Sequence, residues 1–220
     1  MRLLPAHLLV VSILLTGACS RPVLYYPAPS PAPSQPVLAG EPAAKDVTNV
    51  SAAETMSADM AYLRDRHIII PVAGATMQGV ADSFDEARDG GERLHHAIDI
   101  LAPRGTPVLS ADDGRVLRLS NNKLGGNSLY AEDSAGRLVY YYAHMDHYAD
   151  DMKAGRQLAK GDTIGFVGTT GNAPPNVPHL HFQVMRMPAD RKGYWDGEPI
   201  DPFEALGGVE RVKHATGQPN

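Results

Sequence analysis

Two short stretches of this chain carry side chains able to hold a metal ion: His95-His96-Ala97-Ile98-Asp99 and, about eighty residues later, His179-Leu180-His181. Both sit in segments that alternate in the manner of a β-strand. Strand side chains point to opposite faces with a period of two, so His179 and His181 share one face while Leu180, Phe182 and Val184 share the other. The same parity sets His95, Ala97 and Asp99 on one face and Ile98 and Ile100 on the opposite one, with the small Ala97 leaving room between two donors. Three such side chains suffice for a catalytic zinc, which keeps a fourth position for water; a structural zinc takes four ligands, often cysteines. The chain has one cysteine, Cys19, and the N-terminus accounts for it. Spacing leaves open which of the clustered histidines are ligands. A further histidine stands in Tyr140-Tyr141-Tyr142-Ala143-His144-Met145, where parity sets His144 with Tyr140 and Tyr142, opposite Tyr141 and Ala143. His67, His96, His147 and His214 read as surface or packed residues, and parity turns His96 away from His95.

These residues need strands to position them, and the surrounding pattern supplies strands. After His67 come short alternating or apolar runs separated by glycine and turn signals: Ile68 to Val72, Val80 to Phe84, Ala97 to Leu101, Pro107 to Ser110, Gly114 to Leu119, Ser128 to Glu132, Arg137 to Ala143, Thr163 to Val167 and His179 to Met185. Runs of this kind specify an all-β domain of antiparallel sheets, with Asp113-Gly114 and Ala135-Gly136 as expected hairpin turns. A short helical turn near Asp201 to Leu206 closes the expected domain of residues 67–206, and residues 207–220 read as a flexible tail. Ahead of it, Met56, Met60 and Leu63 recur at helical spacing, which places a short N-terminal helical segment at 49–66 with Asn49 or Ser51 as N-cap.

The first 18 residues read as a signal peptide. Arg2 supplies the positive start, Leu8 to Leu15 an apolar run too short to span a bilayer, and Thr16-Gly17-Ala18 the small residues before Cys19. This resembles a bacterial lipobox, with Thr16 where leucine is more usual, so Cys19 is the expected lipidation site and the membrane is reached through an N-terminal lipid. Residues 19–48, rich in Pro, Ala and Ser, favour extended polyproline and read as a tether. At 220 residues and a formal charge of -5, the chain has room for one domain plus appendages and carries no basic run, which argues against a nucleic-acid partner.

Taken in order, Asp82-Ser83-Phe84, Arg93 to Ile100, Gly105-Thr106-Pro107-Val108, Ala111 to Val116, Tyr142-Ala143-His144-Met145, Lys160-Gly161-Asp162, Ile164 to Gly168, Thr170-Gly171-Asn172 and His179-Leu180-His181-Phe182 resemble the lysostaphin or LytM family of zinc endopeptidases that cut peptidoglycan. Ala97 stands where that family usually has glycine, and Met145 where it has leucine. The resemblance implies that His95, Asp99 and His181 bind Zn2+, and that His144 and His179 are catalytic residues beside the open position. It implies a duplicated hybrid motif fold with an open groove, and peptidoglycan stem peptides as substrate. With Ser20 following Cys19, it also implies a bacterial cell envelope location, lipid-anchored at the periplasmic face of the outer membrane. The chain has no HExxH, so the glutamate base of helix-borne zinc proteases has no counterpart. The rival expectation is a catalytically silent scaffold that binds and activates cell-wall amidases or a divisome partner. Such scaffolds usually lack members of the ligand set that is complete here.

Overall fold

A computed structural model describes residues 51–208; the expected signal peptide, Cys19, the whole tether, residues 49 and 50 and nearly all of the tail lie outside the described residues. The first element is helix α1 (Ala52–Asp65), started by a capping box: Glu54 N–H donates to Ser51 Oγ at 3.2 Å and Ser51 N–H donates back to Glu54 Oε2 at 2.8 Å. Of the two N-cap candidates, Ser51 is the one used. The strands are β1 (Val80–Ala81), β2 (Ala87–Arg88), β3 (Arg93–Leu94), β4 (Ile98–Leu101), β5 (Pro107–Leu109), β6 (Gly114–Asn122), β7 (Gly126–Asp133), β8 (Leu138–Tyr148), β9 (Gln157–Leu158), β10 (Thr163–Val167), β11 (His179–Arg186) and β12 (Pro199–Ile200). All but β2 and β3 belong to one antiparallel sheet with the order β1-β4-β11-β8-β7-β6-β9, to which β10, β5 and β12 attach off the main path.

The expected all-β class with one short helix is what forms. Some boundaries differ from the expected ones. Residues Ile68 to Val72 contribute only an isolated bridge, Val72 to Val108, and Asp113-Gly114 is no hairpin: β5 pairs with β10, while β6 pairs with β7 and β9. Ala135-Gly136 does lie in a tight connection, between the paired strands β7 and β8.

Parity decides which face of the central strands is buried. Leu180, Phe182 and Val184 of β11, Tyr140 and Tyr142 of β8, and Ile98 and Ile100 of β4 form one apolar cluster with Leu63 of α1. Phe182 is fully buried, its ring 5.3 Å from that of Tyr142, and burial of a side chain this size contributes about 1.5–3 kcal/mol. Polar ties hold α1 to the same side of the sheet. Asp59, itself buried, accepts from Arg186 Nη1 at 3.1 Å, and Tyr62 Oη donates to Asp133 at 2.6 Å. At the C-cap, Arg66 donates to both oxygens of the buried Asp112 at 2.6 and 2.9 Å, and Tyr140 Oη donates to the same carboxylate at 2.8 Å. The helix therefore packs on the Leu180 side of the sheet and leaves the His181 side uncovered.

The strand β8 departs from strict alternation, and the departure matters for the site. Its pairing with β7 slips between Asn127 and Leu129, so that Ala143 and His144 together oppose Ser128. His144 takes a left-handed backbone, φ 62°. This is a β-bulge, which re-aims one side chain and increases local twist. Before it, Leu138 to Ala143 pair with β11; after it, Met145 to Tyr148 pair with β10.

Candidate metal centre

Asp99 on β4 and His181 on β11 are direct cross-strand partners, and His95 reaches them from just before β4. His181 Nδ1 lies 2.9 Å from His95 Nε2, and Asp99 Oδ1 lies 3.3 Å from His95 Nε2 and 3.4 Å from His181 Nδ1. The three donors thus converge on one point. The expected alternation of His95, Ala97 and Asp99 along one strand does not hold. Residues 95–97 are not strand, because His96 adopts a left-handed backbone with φ 56°, and the two-residue period requires an extended chain. His95 instead arrives by a turn, and His96 packs on Phe84 at a ring separation of 5.7 Å.

The surroundings fix the donor atoms. His95 Nδ1 is engaged by Ser83 O and Oγ at 3.1 Å and by Arg88 Nη2 at 3.2 Å, which leaves Nε2 as the ring atom that faces Asp99 and His181. Ser83 Oγ accepts from Asp99 N–H at 3.2 Å, tying the two residues together. Arg88 Nη2 donates to Asp99 Oδ2 at 3.0 Å. That leaves Asp99 Oδ1 buried with no hydrogen-bond partner among the described residues. A buried carboxylate oxygen without a donor is costly. Set against two imidazole nitrogens, it describes a place for a cation, and a two-His, one-carboxylate set suits Zn2+. Burial works to raise the Asp99 pKa, but the proximity of the His181 and His95 imidazoles outweighs it and holds the carboxyl well below the usual range.

His144 and His179 stand beside this cluster. Their rings are 5.0 Å apart, and that of His144 is 5.7 Å from His181. The parity expectation for His144, on the face of Tyr140 and Tyr142, is overturned by the bulge: those tyrosines enter the core, and His144 turns to the His181 side. Each of the two histidines is anchored the same way. His144 Nδ1–H donates to Thr170 O and His179 Nδ1–H to Val177 O, both at 2.8 Å, so both Nε2 atoms are acceptors. His179 Nε2 lies 3.9 Å from Asp99 Oδ1. Burial pushes the His144 pKa down to about 4, so that imidazole is neutral at pH 7. Thr170 is held in turn by backbone-to-backbone contact: a side chain on Gly171, φ 74°, would overlap the backbone of Leu124 and Gly126. Thr170 Oγ1 accepts from Asn127 N–H at 2.9 Å and donates to Met145 O at 2.7 Å.

Sequence reasoning overlooked Ser83, Arg88 and the Thr170 and Val177 carbonyls. Ser83 and Thr170 fall within the stretches that carry the family resemblance, a signal that marked them without a role; Arg88 gave none. The remaining histidines stay apart: His147 stacks on Phe166 at 4.4 Å and bonds Asp146, and His67 and His96 lie outside the cluster. His7 and His214 lie outside the described residues.

Comparison with known proteins agrees with this geometry. The chain is 32% identical over 150 residues to the L-Ala--D-Glu endopeptidase of Bacillus subtilis, covering 66% of this chain and 44% of that protein. It is 34% identical over 110 residues to the peptidoglycan DD-endopeptidase ShyC of Vibrio cholerae, covering 48% of this chain and 24% of that one. The chain therefore spans less than half the length of these curated relatives. The fold is similar to the crystal structure of a peptidase M23 protein from Pseudomonas aeruginosa, with a TM-score of 0.51 and 20% identity over 75% of this chain and 65% of that one. The model of peptidase family M23 matches residues 93–202, half of the chain and the segment that carries all five clustered residues, and on that ground the chain belongs to peptidase family M23.

Proposed function

We propose that this chain is a zinc-dependent metalloendopeptidase that hydrolyses peptide crosslinks of bacterial peptidoglycan, with His95, Asp99 and His181 holding the zinc and His144 and His179 as its catalytic residues. One observation carries the reading: the unpartnered Asp99 Oδ1 facing two imidazole nitrogens, with two further imidazoles anchored through Nδ1 beside it. Zinc, when bound, supplies Lewis-acid polarisation of the scissile carbonyl and makes water a competent nucleophile at neutral pH. The chain's own residues do the rest. Ser83 and Arg88 orient the ligands, as outer-shell partners of metal sites do. The free Nε2 atoms of His144 and His179 lie where a proton can be taken from water; once protonated, an imidazole becomes a donor and can pass that proton to the leaving amine. The two carbonyl anchors hold both rings ready without movement of either.

The domain spans about residues 67–206 in this reading, behind a lipidated Cys19 and a Pro-rich tether that place it in the cell envelope, at the periplasmic face of the outer membrane. The substrate there is a stem-peptide crosslink of the D-Ala to diaminopimelate kind, assigned by analogy. The test is digestion of purified sacculi by the zinc-loaded full chain, with products identified by mass. New stem-peptide termini are expected, and none from the His181→Ala variant. Release of wall fragments only when an amidase is added would instead support the scaffold reading.

A further inference from the structure

A row of aromatic side chains leads away from the metal centre and ends on a cation that makes no ion pair among the described residues. Tyr141 of β8 packs edge-on against the His181 ring at 5.9 Å and stacks on Tyr130 of β7 at 4.4 Å. Tyr130 meets Tyr194 at 6.0 Å, and Tyr194 meets Trp195 at 5.3 Å. Arg118 of β6 is the cross-strand partner of Tyr130, so it belongs to the same face of the sheet. Its guanidinium lies over the Trp195 ring, 5.8 Å from the centroid. Trp195 is 52% exposed, unusual for the largest apolar side chain, and the Arg118 side chain donates, among the described residues, only a long hydrogen bond of 3.5 Å to Ser120 Oγ.

The exposed arginines near the opposite end of the strands are paired: Arg115 and Arg191 with Glu132, Arg186 with Asp59. Beyond the long Ser120 contact, Arg118 is committed only to an indole among the described residues. The residue is exposed, and a guanidinium offers its N–H groups in the fork geometry that matches a carboxylate. The geometry points to Arg118 and Trp195 as a specificity subsite that binds a free carboxylate of a peptide chain lying along the tyrosine row from the metal centre. The inference rests on the proposed peptidoglycan peptidase reading, since stem peptides are rich in free carboxylates, and it names the group that reading would select.

Trp195 is the one tryptophan of the chain, so its fluorescence reports on this subsite directly. Titrating the zinc-loaded full chain with a stem tetrapeptide bearing free carboxylates should give a saturable change, and its fully amidated counterpart should bind about tenfold more weakly, as loss of a charged hydrogen bond costs. Arg118→Gln should bind both forms alike, at the weaker affinity, while sacculus digestion continues with raised KM and little change in kcat. Equal affinity of the wild-type chain for both peptides, an unchanged preference in Arg118→Gln, or a response to a peptide-free glycan oligomer and none to the peptide would each overturn the assignment. Sacculus digestion is read separately: a chain that shows the carboxylate preference but cuts no sacculus refutes the peptidase reading and leaves the subsite standing.

Discussion

The strongest physical test of the metal centre needs no substrate. The donors come from before β4, from β4 itself and from β11, and His95 and His181 are 86 residues apart in the chain, so the unfolded chain has no preformed site. A metal that binds only the folded state stabilises it by an amount set by its concentration relative to Kd, about 4 kcal/mol at a thousandfold excess. For a domain of roughly 150–250 residues, each kcal/mol moves the midpoint by about 2–4 °C. Saturating zinc should therefore raise Tm by roughly 8–16 °C, and a chelator should abolish the rise. Differential scanning calorimetry across a zinc series measures it. In His181→Ala the increment should nearly vanish, because two of the three donors remain and Asp99 loses one of the nitrogens facing it. Asp99→Asn should also lose most of it, since the amide keeps the shape and removes the charge. An increment of equal size in His181→Ala, or none in the wild-type chain, would refute the convergence of these side chains on one ion.

Two further outcomes follow from the same geometry. His144→Ala and His179→Ala should keep the zinc-dependent rise in Tm yet lose turnover by about 10²–10⁴-fold, the usual contribution of a positioned acid or base; single-turnover assays on muropeptides with zinc content measured in parallel check this, and loss of zinc together with activity would mean that either residue is a ligand. Asp112→Ala should destabilise the chain by about 3–5 kcal/mol, because it strands the Arg66 guanidinium and the Tyr140 hydroxyl around a site whose carboxylate is fully buried; the urea midpoint of the apo protein reads it.

How much of this was legible in the sequence depends on how extended the backbone is at each residue. In β11 the chain alternates without interruption, and the face assignments of His179, His181, Leu180, Phe182 and Val184 follow directly from parity. The same rule fails at two histidines. His96 and His144 both take left-handed backbones, uncommon for residues other than glycine and concentrated near functional sites. Each breaks the two-residue count: one delivers His95 by a turn, the other swings His144 out of the tyrosine register. The residue type is only a weak signal of this, since histidine, though enriched at positive φ, still takes an extended backbone far more often. The outer shell was less legible still. Ser83 acts partly, and Thr170 and Val177 entirely, through backbone carbonyls, which every residue has, and Arg88 lies in a separate two-stranded ribbon with β3 whose approach to Asp99 is a matter of tertiary packing.

The bulge in β8 has a mechanical consequence. Because that strand hands its edge from β11 to β10 within two residues, His144 is mounted at a fork, with its ring tethered to the loop that follows one prong and facing a histidine carried by the other. The prongs are tied where they part, because Gly168, just after β10, bridges His179 at the start of β11. The spacing of the two imidazoles is thus held by that bridge and by the Thr170 anchor, and a substitution in the loop after β10 reaches both rings at once.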